Sequence, residues 1–213
     1  MARAKLLELL DGKWEDGTRP KDLFASFVAQ DPPGYVAAII AGLEGDKPKV
    51  RNGCAELASL LSEARPELLL AELALFQANL GVKEPVLRWE AVCTIGNLVA
   101  ADREGATRAC LGAIARFLED KSIVLQGHAV RALAKMARAF PDLAPGIQQS
   151  LLASADRFPG SRVGYLVEAM AAFATDDKLR RAAERFVAPY ADSDMKPVVT
   201  KARKALKALR RVK

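Results

Sequence analysis

Histidine is nearly absent from this chain, with one residue, His128, in 213. That excludes the common multi-histidine metal sites. Cysteine is scarce as well: Cys54, Cys93 and Cys110 are odd in number, widely spaced and without a CxxC pair. Such a set argues against a disulfide framework or a structural zinc site, so no metal is expected and the default setting is the reduced cytoplasm. No apolar run approaches the length that spans a bilayer. The start, Met1 to Leu10, carries Arg3, Lys5 and Glu8 and lacks the apolar stretch of a signal peptide. Alternating β-branched runs are missing, which removes the main strand signal. GxGxxG, Walker A, HExxH and GxSxG patterns are all missing too, and no complete catalytic constellation is present. The expectation is a protein without enzymatic activity and without a cofactor.

What the chain does have is alanine, 39 residues of it, with Leu, Glu, Lys and Arg filling much of the rest. These residues lose little side-chain freedom in a helix, so an all-α fold is expected. The net charge is +6, from 32 basic and 26 acidic residues. Lys196 to Lys213 holds eight basic residues and no acid, which leaves 24 basic against 26 acidic elsewhere. The basicity belongs to one predicted helix and not to the chain at large.

An internal repeat organises the sequence. Val50-Arg51-Asn52-Gly53-Cys54-Ala55 lies over Leu87-Arg88-Trp89-Glu90-Ala91-Val92, and the frame continues at Leu125, Arg162 and Val198. The spacings are 37, 38, 37 and 36 residues. Each segment predicts the second helix of a hairpin, with three stripes at i, i+4, i+7. The first stripe is apolar: Cys54, Ala58, Leu61; Ala91, Ile95, Leu98; Ala129, Leu133, Met136; Leu166, Met170, Phe173; Ala202, Leu206, Leu209. It is expected to close each hairpin on its own first helix. The second is small or apolar in four segments, for example Val92, Gly96, Val99 and Val130, Ala134, Ala137, but becomes Arg203, Lys207, Arg210 in the fifth. A stacked array needs a polar outer face on its last repeat, so this helix reads as a C-terminal cap.

First helices are expected near 33–43, 66–80, 105–119, 145–157 and 178–190. The hairpins then span about 31–64, 65–102, 103–140, 141–176 and 177–213, behind an N-terminal helical cap over 1–30 with helices at 3–10 and 20–30, in one domain. Pro48, Pro85 and Pro197 fall near helix starts. Asp46, Ser122, Ser161 and Asp194 are the expected N-caps.

The run Leu87-Arg88-Trp89-Glu90-Ala91-Val92-Cys93-Thr94-Ile95-Gly96-Asn97-Leu98 resembles the second helix of a HEAT repeat, in which an aliphatic residue and Arg open the helix. Arg51 and Arg88 match that basic position, while Gln126, Val163 and Val199 depart from it. The resemblance covers roughly 31–213 and implies a right-handed α-α superhelix (solenoid) of the HEAT/armadillo type, with about five hairpins and a concave face lined by second helices. It does not imply one function, because the family hosts many roles.

The third stripe should point to that concave face. It contains Asn52, Glu56 and Leu60; Trp89, Cys93 and Asn97; Gly127, Arg131, Lys135 and Arg138; Gly164, Glu168 and Ala172; Thr200, Lys204 and Ala208. Trp89 stands in a column otherwise filled by Asn, Gly, Gly and Thr. It is either a binding anchor or a ring that fills the notch above Gly127. Cys93 is expected to be the one partly exposed cysteine, with Cys54 and Cys110 in the core. A Cys93–His128 pair lacks the third orienting group that thiol chemistry needs. Arg131, Lys135 and Arg138 form a basic ridge, flanked by Glu56 and Glu168 on other hairpins. Lys201, Arg203, Lys204, Lys207, Arg210 and Arg211 make the last helix basic, as a cap or as a surface for anions. The expected function is a scaffold or adaptor that binds a protein or peptide partner on the concave face. The alternative is nucleic-acid binding, resembling the HEAT-like DNA glycosylases, for which Trp89, Glu56 and Glu90 supply residue types without a position-by-position motif.

Overall fold

Every regular element between residues 2 and 211, the part described by the computed structural model, is helical. The chain divides into two compact units, on either side of the Cys110–Leu111 bond.

The first unit starts with α1 (Ala2–Asp11) and α2 (Pro20–Ser26), followed by the hairpin α3 (Pro32–Glu44) and α4 (Pro48–Ala64). Two 3-10 turns, Pro66–Leu68 and Leu70–Glu72, lead into α5 (Leu73–Asn79), which pairs with α6 (Pro85–Leu98). A last 3-10 helix, Ala106–Cys110, closes the unit. Proline supplies several of these starts, Pro20, Pro32, Pro48 and Pro85 among them. Its missing N–H costs nothing at a position whose amide has no intrahelical partner.

The second helices carry the unit. α4 packs against α3 on one side and against α6 on the other, and α1 and α2 both lie on α4. Leu6, Leu10, Leu23 and Val28 of the first 30 residues are fully buried there. Two glycines permit the approach. A Cβ at Gly53 of α4 would meet Leu10 Cδ2 at 2.6 Å and Trp14 Cζ2 at 3.1 Å. A Cβ at Gly42 of α3 would overlap the buried Cys54 Sγ of α4.

In the second unit, α7 (Leu111–Arg116) and the 3-10 turn Phe117–Glu119 precede α8 (Ile123–Ala139). α9 (Ala144–Ala153) is followed by α10 (Val163–Ala169), flanked by 3-10 turns at Gly160–Arg162 and Met170–Phe173. α11 (Asp177–Val187) and α12 (Lys196–Arg211) form the last hairpin. Side by side, α10 packs on both α8 and α12.

The first stripe is buried in all five second helices, with no member more than 8% exposed. The second stripe is closed at Val92, Val99, Val130, Ala134 and Ala137, half-exposed at Ala171 and Ala174, and exposed at Arg203, Lys207 and Arg210. Burial therefore runs out where the sequence turns cationic.

Helix starts are where expectation and structure part. Ser122 caps α8, accepting a hydrogen bond from the Leu125 amide at 3.3 Å. Asp46 does not cap α4, whose N-cap is Lys47. Ser161 lies inside the turn before α10, and Asp194 lies between Ser193 and Met195, where the Ser193 hydroxyl, and not Asp194, accepts from the Met195 amide. The working caps are instead Asp31, which accepts from Gly34 N at 3.2 Å, and Asp176, which accepts from Leu179 N at 2.8 Å. The first helices of the second and third repeats are also less regular than expected. Both are broken into short α and 3-10 pieces.

Candidate functional site

The faces of the second helices that turn away from the hairpin cores hold the candidate residues, and each unit has its own set. In the first unit α4 contributes Asn52, Glu56 and Leu60, and α6 contributes Trp89, Cys93 and Asn97, all half-buried. The arrangement is more tied down than a column of solvent-facing side chains. The Trp89 indole N–H donates to Glu90 Oε1 at 3.1 Å. Asn97 Nδ2 reaches across to α4, donating to Ser62 Oγ at 2.9 Å and to the Ser59 carbonyl at 3.3 Å. Asn97 thus links two second helices. Arg51, at the basic position shared with HEAT repeats, pairs with Glu84 at 3.3 Å and joins α4 to the start of α6.

Two carboxylates of this face are electrostatically strained. Burial pushes the Glu90 carboxyl above its ordinary value, hydrogen bonds from Ser59 and Trp89 pull it back in part, and the Glu56 charge adds to the rise. Burial raises Glu56 too, against the pull of Lys21. The sign follows from linkage. A carboxyl raised on folding binds a proton more tightly in the native state, so its ionisation costs stability above the ordinary value of 4.5 and costs nothing well below it. Glu90→Gln, which preserves shape and acceptor, should therefore raise the melting temperature at pH 7. That gain should vanish when the melts are repeated below pH 4.5.

In the second unit Arg131, Lys135 and Arg138 of α8 are exposed, as expected for a ridge. Glu168 of α10 pairs with Lys201 of α12 at 2.9 Å. The residue not anticipated is Tyr165. Its ring lies in the notch at Gly127, where a Cβ would come within 3.1 Å of Cζ. The Gly127 notch is therefore filled from within its own unit by Tyr165, and this corrects the reading that had Trp89 fill it. The Arg131 guanidinium stands 5.2 Å, and the Lys201 ammonium 5.1 Å, from the centre of the same Tyr165 ring. Tyr165 sits one residue off the column through Gly164, so a search for unusual residues within the column passes over it. The signal that points to it is the paired small residues, Gly127 and Gly164, on successive second helices.

His128 is half-buried beside Arg131. Burial, with the Arg131 charge added, lowers its imidazole to about 4, so it is neutral at neutral pH. Cys93 is the half-exposed cysteine, while Cys54 and Cys110 are buried. Burial pushes the Cys54 thiol up to about 12, which makes it inert. Arg203, Lys204, Lys207, Arg210 and Arg211 are exposed along α12, and Lys201 is partly covered. Among the described residues, no three His, Cys, Asp or Glu side chains are grouped to hold a metal ion. No described helix is long and apolar enough to cross a membrane.

No protein family is matched by the sequence, and no curated protein matches it. Solved structures do match. An engineered protein is similar with a TM-score of 0.72 at 18% identity, over 98% of both chains. A designed armadillo repeat protein is similar with a TM-score of 0.67 at 17% identity, over 96% of this chain and 98% of that one. A second designed armadillo repeat protein, solved in complex with the peptide (KR)4, has a TM-score of 0.67 at 18% identity over 98% of this chain. The fold is therefore an all-α helical-repeat solenoid of the armadillo/HEAT type, and the twelve α-helices among the described residues accommodate about five hairpins behind the first two helices.

Proposed function

We propose that this protein is a repeat scaffold that grips an extended segment of a partner protein along the faces of its second helices, with Trp89 as an anchor in the first unit. The observation that carries this is the Trp89–Glu90 pair beside Glu56, where a half-buried aromatic ring adjoins two carboxylates whose ionisation is penalised by burial. A lysine or arginine side chain of a partner would offset that penalty, and its stem or guanidinium would lie on the indole. Similarity of fold to a designed repeat protein in complex with a Lys/Arg peptide supports the same reading. So does the absence of a complete catalytic constellation from the sequence.

A labelled (Lys-Arg)4 peptide titrated against the full chain tests it. Trp89→Ala should weaken binding at least about 30-fold, the size expected of a central aromatic anchor. Glu90→Gln should weaken it less, and binding should fall as the pH drops toward the carboxylate range. Binding that is absent, or indifferent to Trp89, would remove the support.

A further inference from the structure

The second unit presents a surface of a different kind. We propose that the face made by α8, α10 and α12 docks an acidic segment of a partner protein, held by Arg131 and Lys201 across Tyr165. This rests on the scaffold reading and names the chemistry of the partner at that face.

The geometry is built from spaces left empty in the sequence. Gly127 makes room for the Tyr165 ring, and Gly164 makes room for the Lys201 stem, whose Cδ would be 3.2 Å from a Cβ at that position. Tyr165 from α10 and Lys201 from α12 enter these spaces, and Arg131 from α8 stands over the Tyr165 ring, so three successive second helices each contribute one side chain. Two long cationic side chains are therefore held against one ring instead of moving freely in water. An anion that docks there finds their rotamer entropy already spent, which is the usual source of affinity in a preorganised surface.

Charge selects the occupant. Glu168, the acidic residue of the column, is paired with Lys201, while no carboxylate among the described residues pairs with Arg131. Arg138 extends the cationic row along α8 and Lys204 along α12, both exposed. The unit from Leu111 onward has 19 basic residues against 10 acidic ones, so its long-range field also favours an anion. A nucleic-acid strand is the weaker fit. Binding of single strands relies on aromatic rings open to stack bases, and Tyr165 has two cations over it and the Gly127 backbone against it. Glu168 also interrupts a uniform phosphate track. Carboxylates, spaced along an extended peptide and able to take bidentate hydrogen bonds from arginine, fit the surface better.

The test uses the full chain with three labelled probes of matched charge number: an octapeptide of alternating Asp and Glu, the (Lys-Arg)4 peptide, and a nine-nucleotide oligothymidylate with its eight phosphodiesters. The acidic peptide should bind at low salt, weaken as salt rises, and lose at least tenfold in affinity in Arg131→Gln and in Tyr165→Leu. Lys178→Gln, exposed on α11 away from the three helices of the face, should leave it unchanged. Melting curves for each variant separate lost binding from lost fold. No binding of the acidic peptide, unchanged binding in Arg131→Gln with the fold intact, or tighter binding of the oligonucleotide would each overturn the proposal. If the basic peptide still binds through Trp89, only this inference fails. If neither peptide binds, the scaffold reading fails with it.

Discussion

Replacing Asp102 with alanine should destabilise the first unit by about 3 kcal/mol, the cost of stripping several charge-assisted hydrogen bonds from a buried turn. Asp102 is 7% exposed and accepts from the amides of Gly105, Ala106 and Thr107 at 2.9, 3.0 and 2.7 Å. The Thr107 hydroxyl donates to it as well, at 2.6 Å. One carboxylate thus satisfies the open amides of the 3-10 helix Ala106–Cys110 and fixes Gly105 at its left-handed φ of 78°. Burial alone would raise the Asp102 carboxyl, but the Thr107 side chain and the three amides outweigh it and hold it below its ordinary value. A carboxyl lowered on folding contributes stability above its unfolded value and loses it as pH falls through the native one. The gap between wild type and Asp102→Ala, measured by denaturant titration, should therefore be full at pH 7 and narrow as the pH drops below the ordinary value of 3.8. A gap that stays constant through that range would show that the carboxylate charge is not the source.

The second large effect is expected at Gly42. Alanine there places a methyl group on the Cys54 sulfur, which is fully buried and has nowhere to turn. Overpacking of this kind costs about 2–3 kcal/mol, because α3 and α4 must separate or Cys54 must leave its rotamer. The neighbouring contact with Leu7 Cδ2, at 3.0 Å, is the end of a flexible side chain and yields easily. Combining Gly42→Ala with Cys54→Ala removes the sulfur and makes room for the new methyl. The double variant should recover most of the loss, giving a coupling energy well outside additivity. If the two losses simply add, the close approach of the helices at this point is not the reason for glycine.

Much of this architecture was legible because a solenoid repeats its packing problem. Cys54, Ala91, Ala129, Leu166 and Ala202 recur at near-constant spacing and all end up buried, since each closes the same kind of hairpin. Features that answer a local need do not recur, and these were misread or missed. Asp46 and Asp194 have the composition of caps, but a cap depends on where the backbone leaves the extended region, which a one-residue shift decides. Asp102 makes four short hydrogen bonds within five residues, and nothing in the repeat marks it. The basic position at the head of each second helix was recognised from Arg51 and Arg88. Gln126, which departs from it, bonds the Leu118 and Asp120 carbonyls of the preceding turn instead.

The candidate faces were legible as columns and not as contacts. The ridge at Arg131, Lys135 and Arg138 is exposed as its spacing predicts, yet what organises it is a ring one residue off the column. Trp89 was singled out for its bulk. Its partner Glu90 is adjacent in sequence, and the strain on that carboxyl comes first from burial, with the Glu56 charge on α4 adding to it, neither of which periodicity reveals.

The exposed triplet Arg203, Lys207 and Arg210 sets how the molecule can grow. Because the cationic triplet is written on α12 alone, the second helices before it keep faces that a neighbouring helix can cover. Duplicating the segment 141–176 would add a module whose edges are already apolar and would leave the charged terminus in place. A face that accepts a neighbour and a face suited to water are thus encoded in separate stretches of chain, and the first can be repeated without redesigning the second.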